Sequence, residues 1–123
     1  MITPQSIFNA AWQRFIVEGR LPCIKEKRCA YSHDGNNCAV GAAMTEDQIQ
    51  KITEEGIADY MVDDIMDAHP DWFIGEKEAI INLQYHLHDK LVDINSGSWN
   101  RDKEAREDQY RRVAKTYGLE IPK

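Results

Sequence analysis

Ile80, Leu83, Leu87, Leu91 and Ile94 recur at spacings of 3, 4, 4 and 3 residues, with mostly polar residues between them. Strand side chains repeat every second residue, so a stripe of this period can be buried on one side only as an α-helix. A helix with one narrow apolar stripe must be covered by other elements. The pattern therefore predicts the central helix of a packed, mainly helical domain.

Other segments repeat the theme. Thr3 followed by Pro4 predicts a helix start, because proline at the first helical position gives up a hydrogen bond the helix would not have made. Ile7, Phe8, Ala11, Trp12, Phe15 and Ile16 then form an amphipathic face that ends before Gly19. Thr45-Glu46-Asp47-Gln48 has the form of a capping box, with Met44 and Ile49 placed as a hydrophobic staple, and predicts a helix from Glu46 to near Gly56. Ile57, Met61 and Ile65 at four-residue spacing predict a third helix stopped by His69-Pro70. A last helix is expected from a cap at Ser98 or Asn100 to about Tyr117, with Gly118 and Leu119 as its stop.

At 123 residues the chain fits a single domain, 1–123, large enough to bury a core without an obligatory metal or disulfide. The start carries no basic segment and uninterrupted apolar runs are short, which argues against a secretory leader and a membrane span. Three cysteines, an odd number, argue for free thiols in a reducing compartment, so the expected location is cytoplasmic. The net charge is −6, and it is uneven: Glu54, Glu55, Asp59, Asp63, Asp64, Asp67, Asp71 and Glu76 lie between Lys51 and Lys77 with no base among them. No basic stripe dominates, which argues against direct nucleic-acid binding.

One β-element is expected. Asp34-Gly35 stands between short segments, Arg28-Cys29-Ala30-Tyr31 and Asn37-Cys38-Ala39-Val40, as a tight hairpin turn would. In that register Tyr31 faces Cys38 and Cys29 faces Val40. The expected fold is thus mainly α (α+β), a compact bundle of four or five helices with one β-hairpin. The Cys-x-Tyr, Gly-containing turn and Cys-Ala-Val-Gly sequence, with Thr-Pro-Gln-x-Ile-Phe at the start, resembles a family of short uncharacterised bacterial and bacteriophage proteins. That resemblance implies a bacterial or phage origin and carries no established activity. It also implies cysteines at the positions of Cys29 and Cys38, with no counterpart of Cys23.

Three candidate sites follow from residue type and spacing. Asp59, Asp63 and Asp67 stand four apart along one side of the expected third helix, where like charges repel. With Asp64 they form a candidate docking face for a host or cognate protein with a basic surface; stacked carboxylates as a cation site are the less favoured use, because a regular helix lacks liganding turns. His86, His88, Asp89 and Asp93, with His69 before and Asp102 or Asp108 after, follow the order of helical metal phosphohydrolases. His86, Asp89 and Asp93 would share one face of a regular helix, but His86 and His88 would not. Cys23, Cys29, His33 and Cys38 are zinc-type ligands, but gaps of five, three and four residues depart from zinc knuckles, and core thiols are the favoured reading. Neither a nucleophile elbow nor a glycine-rich phosphate loop occurs.

The expected function is accordingly that of a small macromolecule-binding protein, an inhibitor or modulator of a host protein acting through the acidic helix, with no cofactor. The alternative is a small metal-dependent phosphohydrolase using the His/Asp residues of the fourth helix.

Overall fold

Six α-helices wrap one apolar cluster in the computed structural model, which describes residues 1–18, 24–25, 28–29, 39–58, 60–89 and 103–122. Helix α1 (Pro4–Ala11) starts as its sequence demands. The Thr3 hydroxyl accepts from the Ser6 N–H at 3.0 Å, and the Ser6 hydroxyl accepts from the Thr3 N–H at 2.8 Å. The helix continues as a π-turn over Trp12–Val17, where the Glu18 N–H reaches back five residues to the Gln13 carbonyl. All six residues of the expected apolar face are buried, Ile7, Phe8, Ala11 and Phe15 completely.

Helix α3 (Glu46–Glu54) has both bonds of the expected capping box, Gln48 N–H to the Thr45 hydroxyl and Thr45 N–H to the Gln48 side chain. It is followed by Gly56 at φ +75°. Thr45→Ala is expected to cost about 1 kcal/mol, because an orphan amide at the helix start loses its acceptor. Chemical denaturation measures it.

Helix α4 (Val62–Ala68) is shorter than expected and phased differently. Met61 lies outside it, 72% exposed, while Val62, Ile65 and Met66 are the residues that turn inward. The expected start at Ile57 fails: the Tyr60 N–H bonds the Ile57 carbonyl only three residues back, and the helix begins at Val62. The expected stop holds: His69 leaves helical angles and Pro70 opens a single 3₁₀ turn, Pro70–Trp72.

Helix α5 (Lys77–Gln84) and a π-turn over Tyr85–Asp89 carry the central stripe, with Ile80, Leu83 and Leu87 fully buried. Leu91 and Ile94 lie outside the described residues. Helix α6 (Lys103–Tyr117) ends as expected. Gly118 sits at φ +66° and the Leu119 N–H bonds the Ala114 carbonyl at 2.8 Å, the six-to-one bond of a Schellman stop. Helix α5 packs on α1, on α2 (Ala39–Ala43) and on α4, and α6 covers both π-turns.

The expected β-hairpin is corrected. Ala39–Ala43, written above partly as its second arm, is helix α2, packed against α1 and α5. Val40 cannot pair with Cys29, since its N–H donates to the Gln84 side-chain oxygen at 2.9 Å inside the core. Alanine-rich sequence favours helix, and a buried glutamine supplies the acceptor that the helix start lacks. Cys29 pairs instead with Ile24, beside Lys25 with Arg28. Two residues a side have no face to bury and add no layer, so the architecture is a helix bundle. The Asp34-Gly35 turn lies outside the described residues. One further extended contact is structural: Ile2 inserts beside Phe73, its N–H on the Trp72 carbonyl at 2.7 Å and its carbonyl accepting from Ile74 at 2.8 Å.

Candidate functional site

The acidic interval folds around the turn between α3 and α4. Asp63 and Asp64 fall in the first turn of α4, where the unpaired amides of a helix start favour negative charge, so their presence there has a local stabilising reason. Asp59 lies outside the described residues, and the helix that would have aligned it with Asp63 and Asp67 begins only at Val62. Of the expected three-carboxylate stripe, the described residues include Asp63 and Asp67.

Asp67 is paired at the surface. Lys77, at the first position of α5, donates to its carboxylate at 2.5 Å. This hydrogen bond is the main reason the Lys77 pKa is raised; desolvation opposes it, and the charges of Asp67, Asp63 and Asp64 add to it. The first base after the acidic interval thus turns back onto it. Asp64, exposed, and Asp63, half-buried, lie next to two large exposed side chains, Met61 and Tyr60, the latter 50% exposed.

At the far end of α4, His69 joins three elements. Its Nε2 lies 2.5 Å from Glu55 Oε1 just beyond α3, and its ring stacks on Trp72 with centroids 3.8 Å apart and planes within 6°. These contacts give His69 a packing role that ties α3 to the 3₁₀ turn. His86, on the π-turn after α5, is half-buried against the edge of Tyr85, and its carbonyl receives Gln109 Nε2 at 3.5 Å. His88 and Asp89 belong to the same π-turn by their backbone; their side chains, Asp93 and Asp102 lie outside the described residues, as do Cys23, His33, Cys38 and the side chain of Cys29. Among the described residues no three His, Cys, Asp or Glu side chains converge as metal ligands.

The π-turn has a partner that sequence spacing did not indicate. Tyr110 of α6, fully buried, donates its hydroxyl to the Leu87 carbonyl at 2.6 Å. Burial pushes that hydroxyl's pKa far up, with Arg106 opposing, so Tyr110 is a neutral donor and not an acid or nucleophile at ordinary pH. Phe8 and Trp12 stack beside it, and the Arg111 guanidinium covers the Trp12 ring at 5.3 Å. The cluster satisfies backbone at the helix irregularity and belongs to the core. On α6, Glu107 meets Arg111 at 3.3 Å, and Arg112 donates to the Gln109 side-chain oxygen at 3.2 Å.

The chain matches no family model, no curated protein and no solved structure. Among the described residues no helix is long and apolar enough to cross a membrane.

Proposed function

We propose that the chain acts by binding another protein that presents a basic surface, through the turn carrying Tyr60 and Met61 and the first turn of α4. The observation that supports this most is the exposure of Met61 at 72% immediately before Asp63 and Asp64. Methionine and tyrosine are enriched at the centres of interfaces, and carboxylates at the rim steer a basic partner toward them. The resemblance of the sequence to short bacterial and phage proteins makes modulation of a host protein the concrete form of this activity.

The test has two steps. A photo-crosslinking residue at position 61 is expected to join the chain to a partner in cells, while the same residue at Val17, exposed but on the other side of the sequence pattern, is not. With that partner purified, Asp63→Asn with Asp64→Asn is expected to weaken binding roughly tenfold at low salt and to flatten its salt dependence, because charge steering is screened over about 10 Å at 0.1 M. Equal crosslinking from both positions, or affinity and salt dependence unchanged in the double variant, would overturn the reading.

A further inference from the structure

One side chain on α1, Gln5, clamps the backbone of the segment after α6. Beyond Gly118, Leu119 and Ile121 are both partly buried against the core, and Glu120 between them is exposed. The Gln5 amide takes both backbone groups of Glu120: its oxygen accepts the Glu120 N–H at 2.9 Å and its nitrogen donates to the Glu120 carbonyl at 2.8 Å. In an antiparallel ladder a hydrogen-bonded residue pair exchanges the same two bonds, so Gln5 stands where a neighbouring strand would. The second N–H of Gln5 goes to Asn9 Oδ1 at 2.8 Å, which sets which end of the amide donates and matches it to the polarity of the segment.

This arrangement reads backbone at one position and aliphatic side chains on either side of it, which is the chemistry of extended-peptide recognition. We infer that the face of α1 at Gln5 and Asn9 is a peptide-binding site, occupied in this structure by the chain's own segment 119–122. Its occupant in trans is an extended peptide of a partner protein with aliphatic residues two positions apart. The cis segment competes with that peptide, and the left-handed Gly118 is the point about which it swings away. The site does not involve α4 and stands or falls separately from the acidic turn.

The test uses the full chain with Leu119→Ser and Ile121→Ser, which loosen the cis segment and leave Gln5 and Asn9 intact. A fluorescent peptide of the sequence at 118–123 is expected to bind this double variant at least about tenfold tighter than it binds the parent. Adding Gln5→Ala should remove about tenfold, the worth of the two lost hydrogen bonds. Methylating the peptide's backbone nitrogen at the position of Glu120 should weaken binding comparably, whereas replacing the glutamate side chain by alanine should not. In the parent itself, Gln5→Ala should speed hydrogen exchange of the Glu120 amide about tenfold. An unchanged exchange rate, no peptide binding by the folded double variant, or binding indifferent to both Gln5→Ala and backbone methylation would overturn the inference. So would dimerisation of the double variant without peptide, which would make a second copy the occupant.

Discussion

Leu87→Ala is expected to lower the stability of this protein by about 2–5 kcal/mol and its Tm by on the order of 10 °C or more. Leu87 is fully buried. Truncation removes its transfer energy and leaves a cavity whose walls cannot easily close, because two separate devices hold them. One is the Tyr110 hydroxyl on the Leu87 carbonyl at 2.6 Å, and the other is the stack of Phe8, Trp12 and Tyr110 behind it. Tyr85→Ala, on the same π-turn but half-exposed, should change stability by no more than about 0.5 kcal/mol. Paired urea titrations give the contrast directly. Two variants that melt within a degree of the parent would mean that the Tyr85–Asp89 turn does not face the core as described.

Gly75→Ala should be nearly as damaging, for reasons of backbone rather than burial. Gly75 has φ +126°, a conformation that side chains other than hydrogen scarcely tolerate, and a Cβ there would stand 2.9 Å from Cδ of Pro4. The proline ring is part of the α1 start and cannot move without disturbing the Thr3 cap. Strain at such a φ costs about 1–3 kcal/mol and overpacking a similar amount, so a loss of about 2–5 kcal/mol is expected. Gly56→Ala separates the two effects. Gly56 has φ +75° with nothing within 4 Å of a Cβ, so that variant carries only the left-handed penalty, about 1–2 kcal/mol. Equal Tm losses at both glycines would remove the Pro4 contact as a cause.

Helix ends were legible in this chain wherever the cap is made by residues within three or four positions of one another. Thr45 with Gln48, Thr3 with Ser6, and Leu119 with Ala114 satisfy amides and carbonyls at helix ends, while Pro4 fills a position whose N–H the helix does not need and Gly118 supplies the left-handed turn, so the same atoms meet whatever the rest of the fold does. The apolar stripes of α1 and α5 were legible for a related reason, since a 3.6-residue period leaves a continuous face only in a helix. The hairpin was misread because Asp-Gly and alternating small residues describe a local preference, and local preference yields when a distant group offers a better hydrogen bond. Gln84, far along the chain, accepts from Val40 in the core, and Ala39–Ala43 become helix around that bond.

The candidate sites divide along the same line. That acids cluster between Lys51 and Lys77 is a property of the sequence, as is the apolar stripe around Leu87. Which of those acids are paired was decided by tertiary structure: Lys77 folds back onto Asp67 and Glu55 meets His69, while α4 begins late enough to leave Met61 outside it and exposed. The Gln5 clamp on Glu120 joins residues 115 apart, and the Tyr110 bond to Leu87 joins α6 to a π-turn. No period or spacing encodes such contacts. By itself the sequence determined the starts of α1 and α3, the stops of α4 and α6 and the apolar faces of α1 and α5, because those follow from bonds and burial within one or two turns. Only the packed chain decided which polar groups meet across the bundle, because a side chain's partner is set by where the helices come to rest and not by its place along them.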